Sequence, residues 1–325
     1  MRARATWLLL LLVLLSACQT SDPPARAPLA AAPQQKNSRG VSSTPAGQNT
    51  PAPDGHNSPA LNVQPSPAPT FRSRLPATPR SLARYLSRID RLLARHISPW
   101  RAGGARLGSR LANRVLSEAL TQQRIYSFLA TRPQTTRRIE AMVRPGIVRE
   151  IQATVGAARD LDSLIAPVPK VPHYEFAQPL PPDQLRKLYF EAQRRYGVPW
   201  SVLAAINFVE SKFGRILGPS SSGALGPMQF LPATFAAYGR GDIKSPHDSI
   251  LAAARYLRAD GAPERLRAAL FAYNRADAYV DAVLRYARQM RSNSRSFWVY
   301  YGYQVFVTTS NGSVRLTGPG TQHPD

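Results

Sequence analysis

Cysteine is almost absent from this 325-residue chain, where Cys18 is the only one. One thiol closes no internal disulfide, so the fold must rest on its apolar core. The five histidines (His56, His96, His173, His247, His323) are scattered without ligand spacing, which argues against a zinc site; no metal and no cofactor is expected. Ser221 and Ser222 lie in no Gly-x-Ser-x-Gly elbow, and no phosphate-cradling loop occurs. Acids are scarce as well. Nineteen Asp and Glu stand against 42 Lys and Arg, nearly all of them Arg, for a formal charge of +23. Such an excess attracts anionic polymers and surfaces. The longest apolar run, Trp7 to Leu15, is too short to span a bilayer stably.

What is present begins with Arg2 and Arg4, the apolar run, and Leu15-Ser16-Ala17-Cys18. Residues 1–17 read as a signal peptide. The stretch resembles a bacterial lipoprotein lipobox, which implies that Cys18 becomes an acylated N-terminus, anchored to a membrane without spanning it. Export turns the expected partners of the basic surface from nucleic acid to anionic wall polymers and lipid headgroups. Residues 18–80 hold the lipidated cysteine and a linker with thirteen prolines and only scattered large apolar side chains. Such a segment buries too little surface to offset its ordering entropy and is expected to be disordered.

A basic helical region follows over 81–166. Leu82, Tyr85, Leu86, Ile89, Leu92, Leu93 and Ile97 share one face at helical spacing, and Arg84, Arg88, Arg91 and Arg95 line another. Further helical pattern covers about 109–130 and 135–165, broken near Pro133 and Pro145. A proline-rich connector spans 167–182. The pattern over 183–291 is nearly all helical, with Gly197 as a stop and Ser245-Pro246-His247-Asp248 as a capping signature. Over 292–325, the aromatic and β-branched stretch Phe297–Thr308 and the turn at Asn311-Gly312 predict a β-hairpin and tail. The expected fold class is mainly α, with a small C-terminal hairpin.

One carboxylate stands out. On a helix running to Lys212, Leu203, Ile206, Glu210 and Phe213 share the apolar face, while Ser201, Ala205 and Lys212 point the other way. An acid facing a core is costly unless protonated, paired or needed. Burial raises its pKa, and a carboxylic acid still protonated near neutrality suits a glycosidase. Ion pairing to an arginine is the structural alternative. The Gly/Ser/Pro loop of residues 214–227 can bring backbone amides close to a ligand. Gln229 follows with one carbonyl and one amide, suited to a sugar hydroxyl or acetamido group.

Val209-Glu210-Ser211-Lys212-Phe213-Gly214, Gly223-Ala224-Leu225-Gly226-Pro227-Met228-Gln229-Phe230-Leu231-Pro232 and Ala272-Tyr273-Asn274 together resemble the lytic murein transglycosylase family. Gly-Pro-Met-Gln-Phe-Leu-Pro and the segments Asp242–Asp248 and Tyr273–Val280 point to the branch around membrane-bound transglycosylase B. The resemblance covers about 183–290. It implies a lysozyme-like α fold without metal, acting on peptidoglycan. It carries over Glu210 as catalytic acid, then base, with Ser220 or Ser221, Gln229, Tyr273 and Asn274 as substrate contacts. The family commonly has Gly soon after the Tyr-Asn pair, where this chain has Arg275-Ala276. The implied reaction splits the β-1,4 bond between N-acetylmuramic acid and N-acetylglucosamine and closes a 1,6-anhydro ring. Two alternatives stand beside it: hydrolysis of the goose-type-lysozyme kind, and a lipoprotein that holds peptidoglycan without cutting it. Asp242, Asp248 and Asp277 read as structural acids.

Overall fold

Helix α6 (Trp200–Ser211) is the axis of the fold, because its sequence leaves no polar face. Every residue from Ser201 to Ser211 is buried, as expected of a helix that is apolar all round. Lys212 departs from expectation here. It sits opposite Glu210 on the helix, yet it is buried too, because neighbours cover that side as well. Its Nζ donates to the Phe208 carbonyl at 2.9 Å and lies 4.4 Å above the Phe208 ring.

The computed structural model describes residues 74–318. The signal peptide, Cys18 and nearly all of the linker lie outside the described residues. Four helices come first: α1 (Pro79–Ala102), α2 (Arg110–Ala130), α3 (Pro133–Glu140) and α4 (Pro145–Asp162). Their starts follow local chemistry. Thr78 and Ser81 form a reciprocal cap on α1, Ser109 caps α2, and Pro133 and Pro145 open α3 and α4. Then come β1 (Glu175–Phe176), α5 (Pro182–Tyr196), α6, β2 (Ile216–Gly218), α7 (Pro232–Tyr238), α8 (Pro246–Ala259), α9 (Leu266–Tyr273), α10 (Asp277–Ser292) and α11 (Ser296–Tyr301). The chain ends in β3 (Phe306–Thr309) and β4 (Gly312–Arg315).

Helix α10 joins the two parts that the proline-rich connector separates in sequence. It packs on α6 along one side and on α4 along the other. Arg285 on α10 pairs with Asp160 on α4 at 2.7 Å, over Gly156, whose missing side chain leaves room for the guanidinium. Helix α2 is tied down by the chain after α11. The Gln123 side chain bonds both backbone groups of Gln304, at 2.9 and 2.8 Å, and the Tyr303 hydroxyl donates to Gln122 at 2.9 Å. One apolar core therefore runs from Leu82 to Tyr303, so the connector is a break in sequence pattern but not in packing.

Two small antiparallel sheets complete the fold. Strand β1 pairs with β2, with Glu175 opposite Gly218 and Phe176 opposite Ile216. Strands β3 and β4 form the expected hairpin, with Phe306 opposite Arg315 and Thr309 opposite Gly312. The hairpin starts later than the β-rich composition suggests. Residues 296–301 are helical and all six are buried. Trp298 packs edge-on to Trp100 of α1 and Phe297 meets Phe213, so packing overrides a weak strand preference. These aromatics fill the core rather than present rings to solvent.

Candidate active site

The end of α6 sets the geometry. Lys212, Phe213 and Gly214 take φ of 52°, 65° and 86°, turning the chain sharply away from the helix axis. Two non-glycine residues in this region carry strain that the surroundings must hold. Ser211 helps to hold it: its hydroxyl accepts from the Gly214 N–H at 2.8 Å and donates to the Pro227 carbonyl at 2.6 Å. Asn207, one turn earlier, also donates to Pro227 at 2.7 Å and accepts from the Tyr189 hydroxyl at 2.5 Å. Two side chains of α6 thus clamp the returning loop against the helix that carries Glu210.

Gly226 lets the loop come in. Its φ is +76°, and a Cβ there would lie 1.9 Å from the Ile243 carbonyl oxygen. Beyond it, Met228 and Gln229 follow in a tight turn, with Gln229 at φ 49°. The Gln229 side chain folds back to donate to the Gly226 carbonyl at 2.9 Å. The Met228 carbonyl accepts from the Tyr273 hydroxyl at 2.6 Å, which fastens the end of α9 to the loop.

Glu210 lies inside this frame with only 2 % of its surface exposed. Its Oε1 accepts from the Tyr279 hydroxyl at 2.6 Å. Its Oε2 is buried and has no hydrogen-bonding partner among the described residues. Among the described residues no arginine pairs with it, so the ion-pair alternative finds no support there. Burial pushes its pKa up to about 8, against smaller opposing effects from the Tyr279 hydrogen bond and the nearby Lys212. Lys212 moves the other way, down to about 7, also through burial. Both shifts favour the neutral forms of the two groups, and a neutral carboxyl group is the form that can donate a proton.

The remaining expected residues fall into distinct places. Tyr273 lies close enough for the Glu210 charge to raise its hydroxyl pKa, on top of the larger effect of burial. Asn274 is the partly buried C-cap of α9. Ser220 is 6 % exposed and is engaged by its own loop, accepting from the Ala224 N–H at 2.9 Å and lying 3.0 Å from the Ser222 hydroxyl. Ser221 is exposed. Neither serine hydrogen-bonds to Glu210. The other acids are occupied elsewhere. Asp242 Oδ1 accepts from the Lys244 N–H, and exposed Asp277 pairs with Arg267 at 3.0 Å. The Asp248 N–H donates to Ser245, whereas its carboxylate accepts from the Asp242 N–H instead of closing the box onto Ser245.

Tyr279 is the residue that sequence reasoning missed. It sits in the first turn of α10, fully buried, within the Tyr273–Val280 segment. Its periodicity with Val280, Val283 and Tyr286 marks it as core, and nothing in that pattern distinguishes a hydroxyl aimed at an acid from one that merely fills space.

The family description "Transglycosylase SLT domain" matches residues 187–295, which span α5 to α10 and hold every residue just described. The chain is also 35 % identical over 125 residues to membrane-bound lytic murein transglycosylase F of Thiobacillus denitrificans. That similarity covers 36 % of this chain and 26 % of the relative, so the chain matches about a quarter of that protein's length. This relative carries the designation F, whereas the motif resemblance pointed toward the B branch. No solved structure matches the chain significantly.

Proposed function

We propose, from the match of residues 187–295 to the transglycosylase SLT domain description, that this chain is a peptidoglycan lytic transglycosylase with Glu210 as its single catalytic carboxyl group. The observation that carries the reading is the setting of Glu210: buried, with its pKa raised by that burial, held through one oxygen by Tyr279, with the other oxygen unpartnered among the described residues.

The chemistry follows from one acid. Glu210 gives its proton to the oxygen linking C1 of N-acetylmuramic acid to N-acetylglucosamine, and the C1–O bond breaks. Positive charge develops at C1, and the Glu210 carboxylate left behind is the nearest counter-charge. That carboxylate takes the proton of the muramic C6 hydroxyl as its oxygen bonds to C1. The 1,6-anhydro ring closes, and Glu210 is protonated again. No water is consumed. Paired-carboxylate glycosidases use a second acid to activate water or to form a covalent intermediate. Here Asp242, Asp248 and Asp277 are each committed to local structure, which favours the route in which the substrate supplies its own nucleophile.

In this reading, Gln229, Tyr273, Asn274 and one of Ser220 and Ser221 line the glycan path. Tyr279 orients the carboxyl group. The protein is exported and lipid-anchored through Cys18. The exposed arginines Arg84, Arg88, Arg91 and Arg95 of α1 meet anionic wall polymers or lipids.

The deciding experiment digests purified murein with the wild type and with Glu210→Gln, then analyses released fragments by mass. Anhydro ends from the wild type and none from the variant are expected. Reducing ends without anhydro ends would instead make the chain a hydrolase of the goose-type-lysozyme kind. Binding without any cutting by the wild type would make it a peptidoglycan-holding lipoprotein.

A further inference from the structure

A cavity of about 450 Å³ is lined by none of the residues gathered round Glu210. It opens between the start of α2, the segment that follows β1, the chain after α11, and Arg215. Its size suits a small ligand of a few residues or sugar units.

Arg215 gives the cavity its character. The side chain is 6 % exposed. Its guanidinium donates to the Lys212 carbonyl at 2.7 Å and the Tyr301 carbonyl at 2.8 Å, and lies 5.1 Å over the Tyr301 ring. Those bonds use two of the five N–H groups an arginine carries. Among the described residues no carboxylate forms an ion pair with it, and no acid lines the cavity. A guanidinium stays protonated in proteins, so a full positive charge is fixed in the wall without a counter-charge. Burying a cation without a counter-charge is costly even when carbonyls hydrogen-bond it, and an arriving anion would offset that cost.

The rest of the lining narrows the anion. Asn113 and Gln178 stand exposed at the cavity and offer side-chain amides, each able to donate and accept. Leu107, Leu116 and Phe176 supply apolar surface between them. One cation balances one negative charge, which fits a carboxylate rather than a phosphate dianion. Amides and small apolar walls match a peptide backbone with short side chains.

We propose that this cavity binds a carboxylate-bearing peptide, with Arg215 holding the carboxylate and Asn113 and Gln178 bonding the peptide groups beside it. Identifying that peptide as a peptidoglycan stem rests on the transglycosylase reading; the preference for a carboxylate does not. The site would let the enzyme read the peptide decoration of a strand separately from the glycan bond it cuts.

The test uses the full chain carrying Glu210→Gln and isothermal titration with a synthetic, sugar-free stem tripeptide. Parallel arms use the same peptide with its carboxylates amidated, and inorganic phosphate. The free-acid peptide is expected to bind, and amidation or an added Arg215→Gln is expected to weaken binding by at least about tenfold, as losing a charged partner does. Asn113→Asp with Gln178→Glu places two acids at exposed positions, leaves the buried arginine in place, and is expected to weaken binding comparably. That pair decides the matter if Arg215→Gln fails to fold. Equal binding of amidated and free peptide, no peptide binding, or unchanged binding to the rim variant overturns the proposal. Binding of phosphate in place of peptide overturns the carboxylate assignment. Because the peptide carries no sugar, absence of murein cleavage by the wild type would leave the titration result standing.

Discussion

The Tyr279 hydroxyl donates to Glu210 Oε1 at 2.6 Å, bridging 69 positions of sequence between the first turn of α10 and the last turn of α6. The bond stabilises the carboxylate more than the acid, so it holds the Glu210 pKa below the level that burial alone would set. It also fixes one oxygen and leaves the other, Oε2, without a hydrogen-bonding partner among the described residues.

Replacing Tyr279 by Phe keeps the ring and removes only this bond. The descending limb of the activity–pH profile, expected near the Glu210 pKa of about 8, should move to higher pH, because a restraint on protonation is gone. The rate should fall by roughly tenfold or more as the carboxyl group loses its orientation. Murein digestion over about pH 4–10, which spans the ordinary carboxyl range and the raised one, measures both. A shift to lower pH would contradict the assignment.

Glu210→Gln should also reveal the burial energy. Below pH 4.5 the carboxyl group is protonated whether the protein is folded or unfolded, and costs nothing extra. Between 4.5 and about 8 the unfolded chain releases the proton and the folded chain keeps it, so wild-type stability falls as pH rises through this window. Above about 8 both states are ionised and the loss is complete. The melting temperature of the variant should therefore gain on that of the wild type from pH 4.5 to 8 and then level off. Lys212 is present in both proteins, and its own lowered pKa contributes to each curve.

Gly226→Ala forces a Cβ to 1.9 Å from the Ile243 oxygen at a φ of +76°. A loss of at least about 1–2 kcal/mol is expected, read as a lower denaturation midpoint. Activity should fall further than stability alone explains, because this turn places Gln229 and the Met228 carbonyl that Tyr273 holds.

The four arginines Arg84, Arg88, Arg91 and Arg95 are exposed along α1 without an ion pair among the described residues. Changing all four to Gln should alter stability by no more than about 0.5 kcal/mol each. Salt-sensitive co-sedimentation with murein or anionic vesicles should weaken in the same variant.

Helices were legible where local chemistry and periodicity agree. Pro133, Pro145, Gly197 and Ser245 all mark ends that the structure places within a residue or two. The stretch 296–301 was misread because aromatic residues favour strands only when a half-exposed sheet is available to them. The connector at 167–182 shows a related limit: prolines break local structure but say nothing about whether the helices on either side share a core, as they do here.

For the site, order along the chain was enough to single out Glu210. Its place on an apolar face is a local property of α6, and three motifs in sequence pointed to one class of chemistry. What order along the chain does not contain is the partner of each atom. Tyr279 on Glu210, Asn207 and Ser211 on Pro227, and Arg215 on the Tyr301 carbonyl all depend on distances between segments far apart in sequence. The sequence by itself determined which acid is odd and which helices form, because those follow from spacing and caps. Only the tertiary structure decided that the acid is buried with its pKa raised and which of its oxygens is hydrogen-bonded, because desolvation and hydrogen bonding exist only once the helices have packed.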